Sequence, residues 1–161
     1  MARKKRIWYP GATYHVMSRG NRRYNIFKDD MDYEMFIECL KNVKAQYDFK
    51  IYSICLMTNH FHMVVSTCDT EIWKIMHKLL LSYAASYNMR YKLTGHLFEN
   101  RYIGQLIEDE TYLLEASRYI HLNPVKHRWY VSHWHTSIAV MRILYQVELM
   151  NAKNNQSFMN W

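Results

Sequence analysis

Residues 51–65 read IYSICLMTNHFHMVV, and this stretch carries the clearest structural signal in the chain. Its first part, residues 51–57, is a continuous run of apolar and β-branched side chains, which predicts a buried strand. Thr58-Asn59 suits a tight turn, and residues 60–65 predict a strand that returns beside the first. The stretch therefore predicts a β-hairpin in the middle of a sheet.

The segments on either side of this hairpin alternate between strand and helix patterns. Before it, the pattern predicts a strand over Thr13–Arg19 and a helix that begins at Asp29 or Asp30 and ends near Tyr47. After it, the pattern predicts a second helix, which is capped by Thr70, has apolar positions from Ile72 to Tyr87 and is broken at Thr94-Gly95. A strand over about Arg101–Ile107 follows, and then a third helix from Asp109–Thr111 to just before Pro124. The order strand, helix, strand, strand, helix, strand is typical of a ferredoxin-like α+β sandwich, in which an antiparallel sheet carries two helices on one face.

The chain length of 161 residues suits one domain and a short extension. We assign residues 1–130 to the domain, including the third helix, and residues 131–161 to a C-terminal extension. Within the extension, residues 138–150 have the spacing of a further helix, and residues 151–161 have the polar character of a frayed tail.

The composition favours a protein that binds nucleic acid. The chain has 21 Lys and Arg against 14 Asp and Glu, a formal charge of +7, together with 14 Tyr, 6 Phe and 5 Trp. Phosphates attract cations and unpaired bases stack on aromatic rings, so a basic, aromatic-rich surface suits single-stranded nucleic acid. A small soluble domain with tyrosines at the rim of its core is the ordinary alternative.

The composition also excludes several classes of protein. An apolar content of 50% excludes a chain that is disordered throughout, and 4 Gly with 2 Pro exclude a collagen-like repeat. The three cysteines are odd in number and lack CxxC spacing, which argues against a disulfide framework or a zinc knuckle. Neither a secretory signal nor an apolar run of membrane-spanning length is present, so we expect a cytoplasmic, nucleoid-associated protein.

The hairpin carries a His-apolar-His triplet in its second strand. Alternation along a strand places His60 and His62 on one face, about 6.5–7 Å apart, and Phe61 on the other. Two imidazoles at this spacing can bind one cation, although an isolated triplet is more often a pair of surface histidines. A second triplet over residues 133–135 lies in a segment without strand periodicity, and we interpret it as accidental.

The predicted third helix carries two further candidates for chemistry. Tyr119 and Asn123 are four residues apart and therefore share one helical face. The carboxamide oxygen of Asn123 suits Mg²⁺ or Mn²⁺, and the Tyr119 hydroxyl is a candidate nucleophile. A packed side chain is the ordinary alternative for Tyr119. His121 lies nearly opposite Tyr119 on the helix, which favours a structural role for it.

Six ordered blocks of sequence resemble a known family over roughly residues 1–137. They are PGATYHV at residues 10–16, SRGN at 18–21, IF at 26–27, MTNHFH at 57–62, GHLFENRY at 95–102 and RYIHLNPV at 118–125. In these blocks the chain resembles the single-tyrosine transposases of the HUH class, especially the branch associated with repetitive extragenic palindromes in bacterial genomes. Six blocks in the same order are far more specific than one triplet.

The resemblance implies an enzyme that cuts and joins single-stranded DNA beside a hairpin. His60 and His62 would bind a divalent metal, Mg²⁺ or Mn²⁺, and Tyr119 would attack a phosphodiester to give a 5′-phosphotyrosine and a free 3′-hydroxyl. Asn123 would be the third ligand, where relatives often have a glutamine that is one methylene longer. The helix must then lie closer to the metal, or a water must bridge. The resemblance is compatible with a monomer or a homodimer.

A hairpin substrate also gives a role to the basic clusters of the chain. They lie in the N-terminal arm, after the first strand, and around the fourth strand and the tyrosine helix. We predict DNA contacts by Arg3, Lys4, Lys5, Arg6, Arg19, Arg22, Arg23, Arg101, Lys126 and Arg128. For any single one of them, a solvated surface charge is the ordinary alternative.

Two other functions remain open at the level of sequence. A replication initiator or conjugative nickase also uses a His-apolar-His strand. Conjugative enzymes usually place the tyrosine before that strand, whereas Tyr119 follows it, so the order counts against them. A non-catalytic ferredoxin-like module that binds nucleic acid would explain the charge and the aromatic residues. It gives no reason for the spacing of His60, His62, Tyr119 and Asn123.

Overall fold

The computed structural model describes residues 7–108, whose strands form one antiparallel sheet. The elements are β1 (Thr13–Arg19), α1 (Asp30–Gln46), β2 (Phe49–Met57), β3 (His60–Thr67), α2 (Ile72–Tyr91) and β4 (Ile103–Ile107), with a 3-10 turn over Asn21–Arg23 after β1. The strand order across the sheet is β2-β3-β1-β4, and every pairing is antiparallel. This arrangement confirms the predicted ferredoxin-like α+β fold. The predicted third helix and the boundary at residue 130 lie outside the described residues.

The two faces of the sheet have different surroundings. Alternate side chains of β1 and β3, among them Tyr14, Val16, Phe61 and Met63, are buried in one core with the apolar faces of the helices. Since successive residues of a strand point to opposite faces, the histidines of β3 lie on the other face. That face has its own small buried apolar cluster, made of Cys55, Val64 and Ile107 with Met57 packed against it.

The helix boundaries follow from local chemistry, and one prediction about them was wrong. Asp29 caps α1 as predicted, because its carboxylate accepts a hydrogen bond from the Asp32 amide at 3.2 Å. Thr70 does not cap α2. The helix begins at Ile72, so Glu71 occupies the capping position and makes no side-chain capping bond. The helix ends at Tyr91, followed by Lys92 in the left-handed region with φ 53°.

A buried carboxylate fastens the start of α1 to the end of α2. Asp32 is fully buried and accepts hydrogen bonds from the Lys28 amide at 2.8 Å, from Arg90 at 2.5 Å and from the Tyr91 hydroxyl at 2.8 Å. Arg90 also contacts Asp29 at 2.7 Å. These charge-assisted bonds fix the helix layer against the loop that leads from β1 into α1.

Two tyrosines of α2 hold the same loop from inside. The Tyr83 hydroxyl donates to the carbonyl of Ile26 at 2.5 Å, and the Tyr87 hydroxyl donates to the carbonyl of Asn25 at 2.8 Å. Ile26 in turn donates its amide to the carbonyl of Thr58, in the turn of the central hairpin, at 2.7 Å. The tyrosines therefore connect the helix layer to the turn that precedes His60.

Tyr83→Phe is expected to lower the free energy of unfolding by about 1–2 kcal/mol, because it leaves a buried carbonyl without its donor. Urea denaturation of both proteins measures the difference. Tyr52→Phe is the matched control, since Tyr52 is 51% exposed on β2 whereas Tyr83 is fully buried. Equal losses in the two variants would contradict a specific role for the Tyr83 hydroxyl.

Among the helices of the described part, none is both long and apolar enough to span a membrane.

Candidate active site

His60 and His62 lie side by side on the sheet face opposite the helices. Their ring centroids are 5.2 Å apart and the ring planes cross at 80°. His62 is 5% exposed and is paired directly with Cys55 of β2 and Met17 of β1, whereas His60 is half-buried at the start of β3. The structure thus places the two predicted ligands together on a stiff central strand.

Both imidazoles are held through the same ring nitrogen. His60 donates from Nδ1 to Oδ1 of Asn59 at 2.6 Å. Nδ1 of His62 shares a hydrogen bond of 3.0 Å with Nε2 of His15, a residue of β1 whose ring stacks on that of His62 with centroids 5.2 Å apart. Contacts of this kind to the second ring nitrogen orient histidines that bind metals through Nε2.

The electrostatic environment keeps His62 neutral. Burial, together with smaller contributions from positive charge on His15, His60 and Arg19, lowers the pKa of His62 to about 3. Burial also lowers the pKa of His15. A neutral imidazole keeps one lone pair on its ring, and that lone pair is what a metal requires.

The donor chemistry of the pair fits a divalent metal. Imidazole nitrogens bind transition metals readily, and Mn²⁺ accepts them together with oxygen donors. Within residues 7–108, no group of three His, Cys, Asp or Glu side chains is arranged to hold a metal. His60 and His62 would therefore need an oxygen ligand from another part of the chain or from the substrate. Asn123 and Tyr119 lie outside the described residues.

Gly20 shapes the loop that follows β1 and adjoins the histidines. The amide of Gly20 donates to the carbonyl of Asn59 at 2.8 Å, and Asn59 Nδ2 donates to the carbonyl of Arg23 at 3.3 Å. A Cβ at Gly20 would lie 2.2 Å from the carbonyl oxygen of Tyr24, so no other residue fits without a backbone shift. The close approach and the two hydrogen bonds to Asn59 hold the loop that carries Arg22 and Arg23, the basic loop, against the turn of the hairpin.

Four of the predicted DNA contacts lie within the described part of the chain. Arg19 is half-buried at the end of β1 and pairs directly with His60 in the sheet. Arg22 and Arg23 are exposed in the loop after β1 and both adopt left-handed backbone, with φ 52° and 61°. Arg101 is exposed just before β4. The other six residues lie outside the described part: Arg3, Lys4, Lys5, Arg6, Lys126 and Arg128.

The basic loop forms one wall of an open cleft of about 620 Å³. The charged side chains that line the cleft are the cations Arg22, Arg23 and Lys28. Tyr24, which is 68% exposed, adds an accessible aromatic ring, whereas Tyr87 lines the cleft but is buried. Cations beside accessible aromatic rings suit a phosphate and an unpaired base.

Two residues of the site were not among the sequence-predicted ligands and contacts, namely His15 and Asn59. Asn59 belongs to the block that contains the histidine triplet, and its place in the turn puts it next to His60. His15 also lies in one of the blocks, residues 10–16, but its contact with His62 follows only from the pairing of β1 with β3, which aligns Met17 with His62 and sets His15 two residues away on the same face.

The family model described as "Transposase IS200 like" matches residues 9–123, which include His60, His62, Tyr119 and Asn123. No curated protein matches the chain. One similar solved structure is a REP-associated tyrosine transposase bound to a REP hairpin, with a TM-score of 0.68, 20% identity, and coverage of 80% of this chain and 76% of that one. Another is a Deinococcus radiodurans R1 protein designated a transposase, with a TM-score of 0.52, 16% identity, and coverage of 74% and 96%. The fold is therefore shared with both, and the match over residues 9–123 shows that the chain belongs to the IS200-like transposase family.

Proposed function

We propose that this chain is a metal-dependent transposase that acts on single-stranded DNA beside a hairpin, with Tyr119 as its nucleophile. The observation that carries the proposal is the pair His60 and His62, which share one face of β3 and are both held through Nδ1. A non-catalytic module that binds nucleic acid has no need of two histidines oriented in this way.

The proposed reaction exchanges one phosphodiester for another. The Tyr119 oxygen attacks the scissile phosphorus, the bond from phosphorus to the 3′ oxygen breaks, and the phenolic proton is transferred overall to the leaving 3′ oxygen. The products are a 5′-phosphotyrosine and a free 3′-hydroxyl. Attack by a 3′-hydroxyl on the phosphotyrosine reverses the step and joins strands without ATP, because a phenolate is a better leaving group than an alkoxide.

His60 and His62 would hold the metal, with Asn123 as the proposed third ligand. A bound divalent metal would polarise the scissile phosphate and offset the charge that develops on its oxygens. Asn59 and the strand pairing keep His60 in place, and burial next to Cys55 limits the access of water to His62.

A phenol has an ordinary pKa near 10, so a tyrosine nucleophile must lose its proton during attack. Positive charge near the reacting phosphate lowers the cost of this step. Arg19 lies opposite His60 on the neighbouring strand, at the edge of the site, and is the described cation best placed to supply it.

The cleft, whose basic wall is bonded to the site through Asn59, would bind the DNA. Arg22 and Arg23 would contact phosphates, while Tyr24 would stack on an unpaired base. A hairpin substrate is supported by the similar transposase that was solved bound to a REP hairpin. Contacts by the N-terminal arm and by Lys126 and Arg128 remain predictions, and both a monomer and a homodimer are compatible with the proposal.

Arg22→Ala with Arg23→Ala is expected to weaken hairpin binding for every sequence tested and to reduce the slope of log affinity against log salt by up to about 2. The reason is that each phosphate contact releases about one condensed counterion. Binding is measured by fluorescence anisotropy in EDTA over a series of NaCl concentrations.

The control for this experiment is Lys41→Ala with Lys78→Ala, which removes the same net charge from the two helices and leaves the cleft lining intact. An unchanged slope in the arginine variant, or an equal loss in both double variants, would contradict binding in the cleft.

The function itself is tested with labelled single-stranded hairpin DNAs, Mn²⁺ or Mg²⁺, and a denaturing gel. We expect a slow-migrating protein–DNA band that requires the metal. Tight binding without such a band across a broad library of hairpins and flanks would favour the non-catalytic module.

A further inference from the structure

His15 contacts the proposed metal site but has no part in the mechanism described above. It lies on β1, the strand beside β3, and Nε2 of His15 is 3.0 Å from Nδ1 of His62. The two rings are nearly parallel, with an interplanar angle of 24°. His15 is half-buried, and the central position of β1 between β3 and β4 holds its backbone on both sides.

We propose that His15 is a positioning residue for His62, and that its Nε2 accepts the hydrogen bond from Nδ1–H of His62. The inference rests on the proposed metal site. A neutral imidazole has one N–H and one lone pair, so a histidine that binds a metal through Nε2 must carry its proton on Nδ1. That proton needs an acceptor, and Nε2 of His15 is at the right distance.

The hydrogen bond at His60 has the same direction. There Nδ1–H donates to the amide oxygen of Asn59 at 2.6 Å. The acceptors come from two different elements, the turn before β3 for His60 and the neighbouring strand for His62. Each ring is thus fixed in the tautomer that directs the lone pair of Nε2 away from its acceptor, and the two rings are oriented independently.

The first test compares Mn²⁺ affinity, measured by titration calorimetry, in the unmodified protein, His15→Phe and His15→Gln. Phe keeps a flat ring but accepts no hydrogen bond, so affinity is expected to fall by about tenfold or more. The carboxamide oxygen of Gln can accept in place of Nε2, so most of the affinity should return. His77→Phe, at an exposed position of α2, controls for the substitution itself.

Three results would overturn the proposal. One is a His15→Phe protein with the Mn²⁺ affinity of the unmodified chain, and another is a His15→Gln protein as weak as His15→Phe. The third concerns the number of imidazoles coordinated to bound Mn²⁺, measured by electron spin echo spectroscopy. Three imidazoles in the unmodified protein and two in His15→Phe would make His15 a direct ligand. If the unmodified protein itself binds no Mn²⁺, the proposed function fails instead.

A second measurement does not depend on the metal or on a variant that folds. Long-range ¹H–¹⁵N correlation spectra of the metal-free protein report which nitrogen of each imidazole carries the proton. We expect His62 in the Nδ1–H form, with its proton bonded to His15. An Nε2–H form of His62 would show that His15 is the donor and would contradict the proposed role.

Discussion

Tyr119→Phe is expected to bind hairpin DNA as tightly as the unmodified protein and to lose cleavage and strand joining by about 10³-fold or more. Phenylalanine keeps the ring but has no oxygen to attack the phosphorus. Initial rates of cleavage on a labelled hairpin, together with binding in EDTA, measure the two effects separately.

Tyr52→Phe is the control for this variant, because Tyr52 lies exposed on β2 and is not part of the proposed site. Cleavage that persists at the normal rate in Tyr119→Phe would place the nucleophile on another residue. If Tyr119→Phe lost DNA binding in parallel, the slower cleavage would reflect weaker binding rather than a missing nucleophile. The assignment of Tyr119 would then fail as well.

His60→Ala and His62→Ala are each expected to lower the rate of metal-dependent cleavage by about 100-fold or more, because each removes one of the nitrogens that would hold the metal. Binding of the hairpin in EDTA should stay near that of the unmodified protein. The measurement is the initial cleavage rate over a series of Mn²⁺ concentrations, which separates weaker metal binding from slower chemistry.

His60→Ala is the cleaner of the two variants. His62 is nearly fully buried and paired with Cys55, so His62→Ala also leaves a cavity and its stability has to be checked by urea denaturation. His77→Ala, on the exposed side of α2, serves as the histidine control. Normal rates in His60→Ala at every Mn²⁺ concentration would contradict its role as a ligand.

The fold was predictable because the decisive signals are local. The apolar run over residues 51–57, the turn and the alternation after it determine both strands of the central hairpin. Alternation alone also places His60 and His62 on one face. The prediction that Thr70 caps α2 was wrong because the capping residue must directly precede the first helical residue, and α2 begins at Ile72, which leaves Glu71 in that position.

The surroundings of the histidines were not predictable in the same way. His15 is 47 residues from His62 in sequence, and only the register between β1 and β3 brings them together. The basic cleft depends on left-handed backbone at Arg22 and Arg23 and on the close approach at Gly20. These are tertiary features, so the charge of the loop was predictable from sequence but the cleft that the loop lines was not.

The proposed mechanism requires a covalent bond between Tyr119 and the 5′ phosphate of cut DNA, which peptide mapping of the trapped product detects. The unmodified protein is incubated with hairpin DNA and Mn²⁺, the complex is purified under denaturing conditions, and it is digested with nuclease and trypsin. Cleavage after Arg118 and Lys126 releases residues 119–126, a peptide with a single tyrosine. We predict that this peptide carries a nucleotide through a 5′-phosphotyrosine. A nucleotide on any other peptide, or no adduct in a preparation that binds the hairpin tightly and receives the metal, would contradict the account.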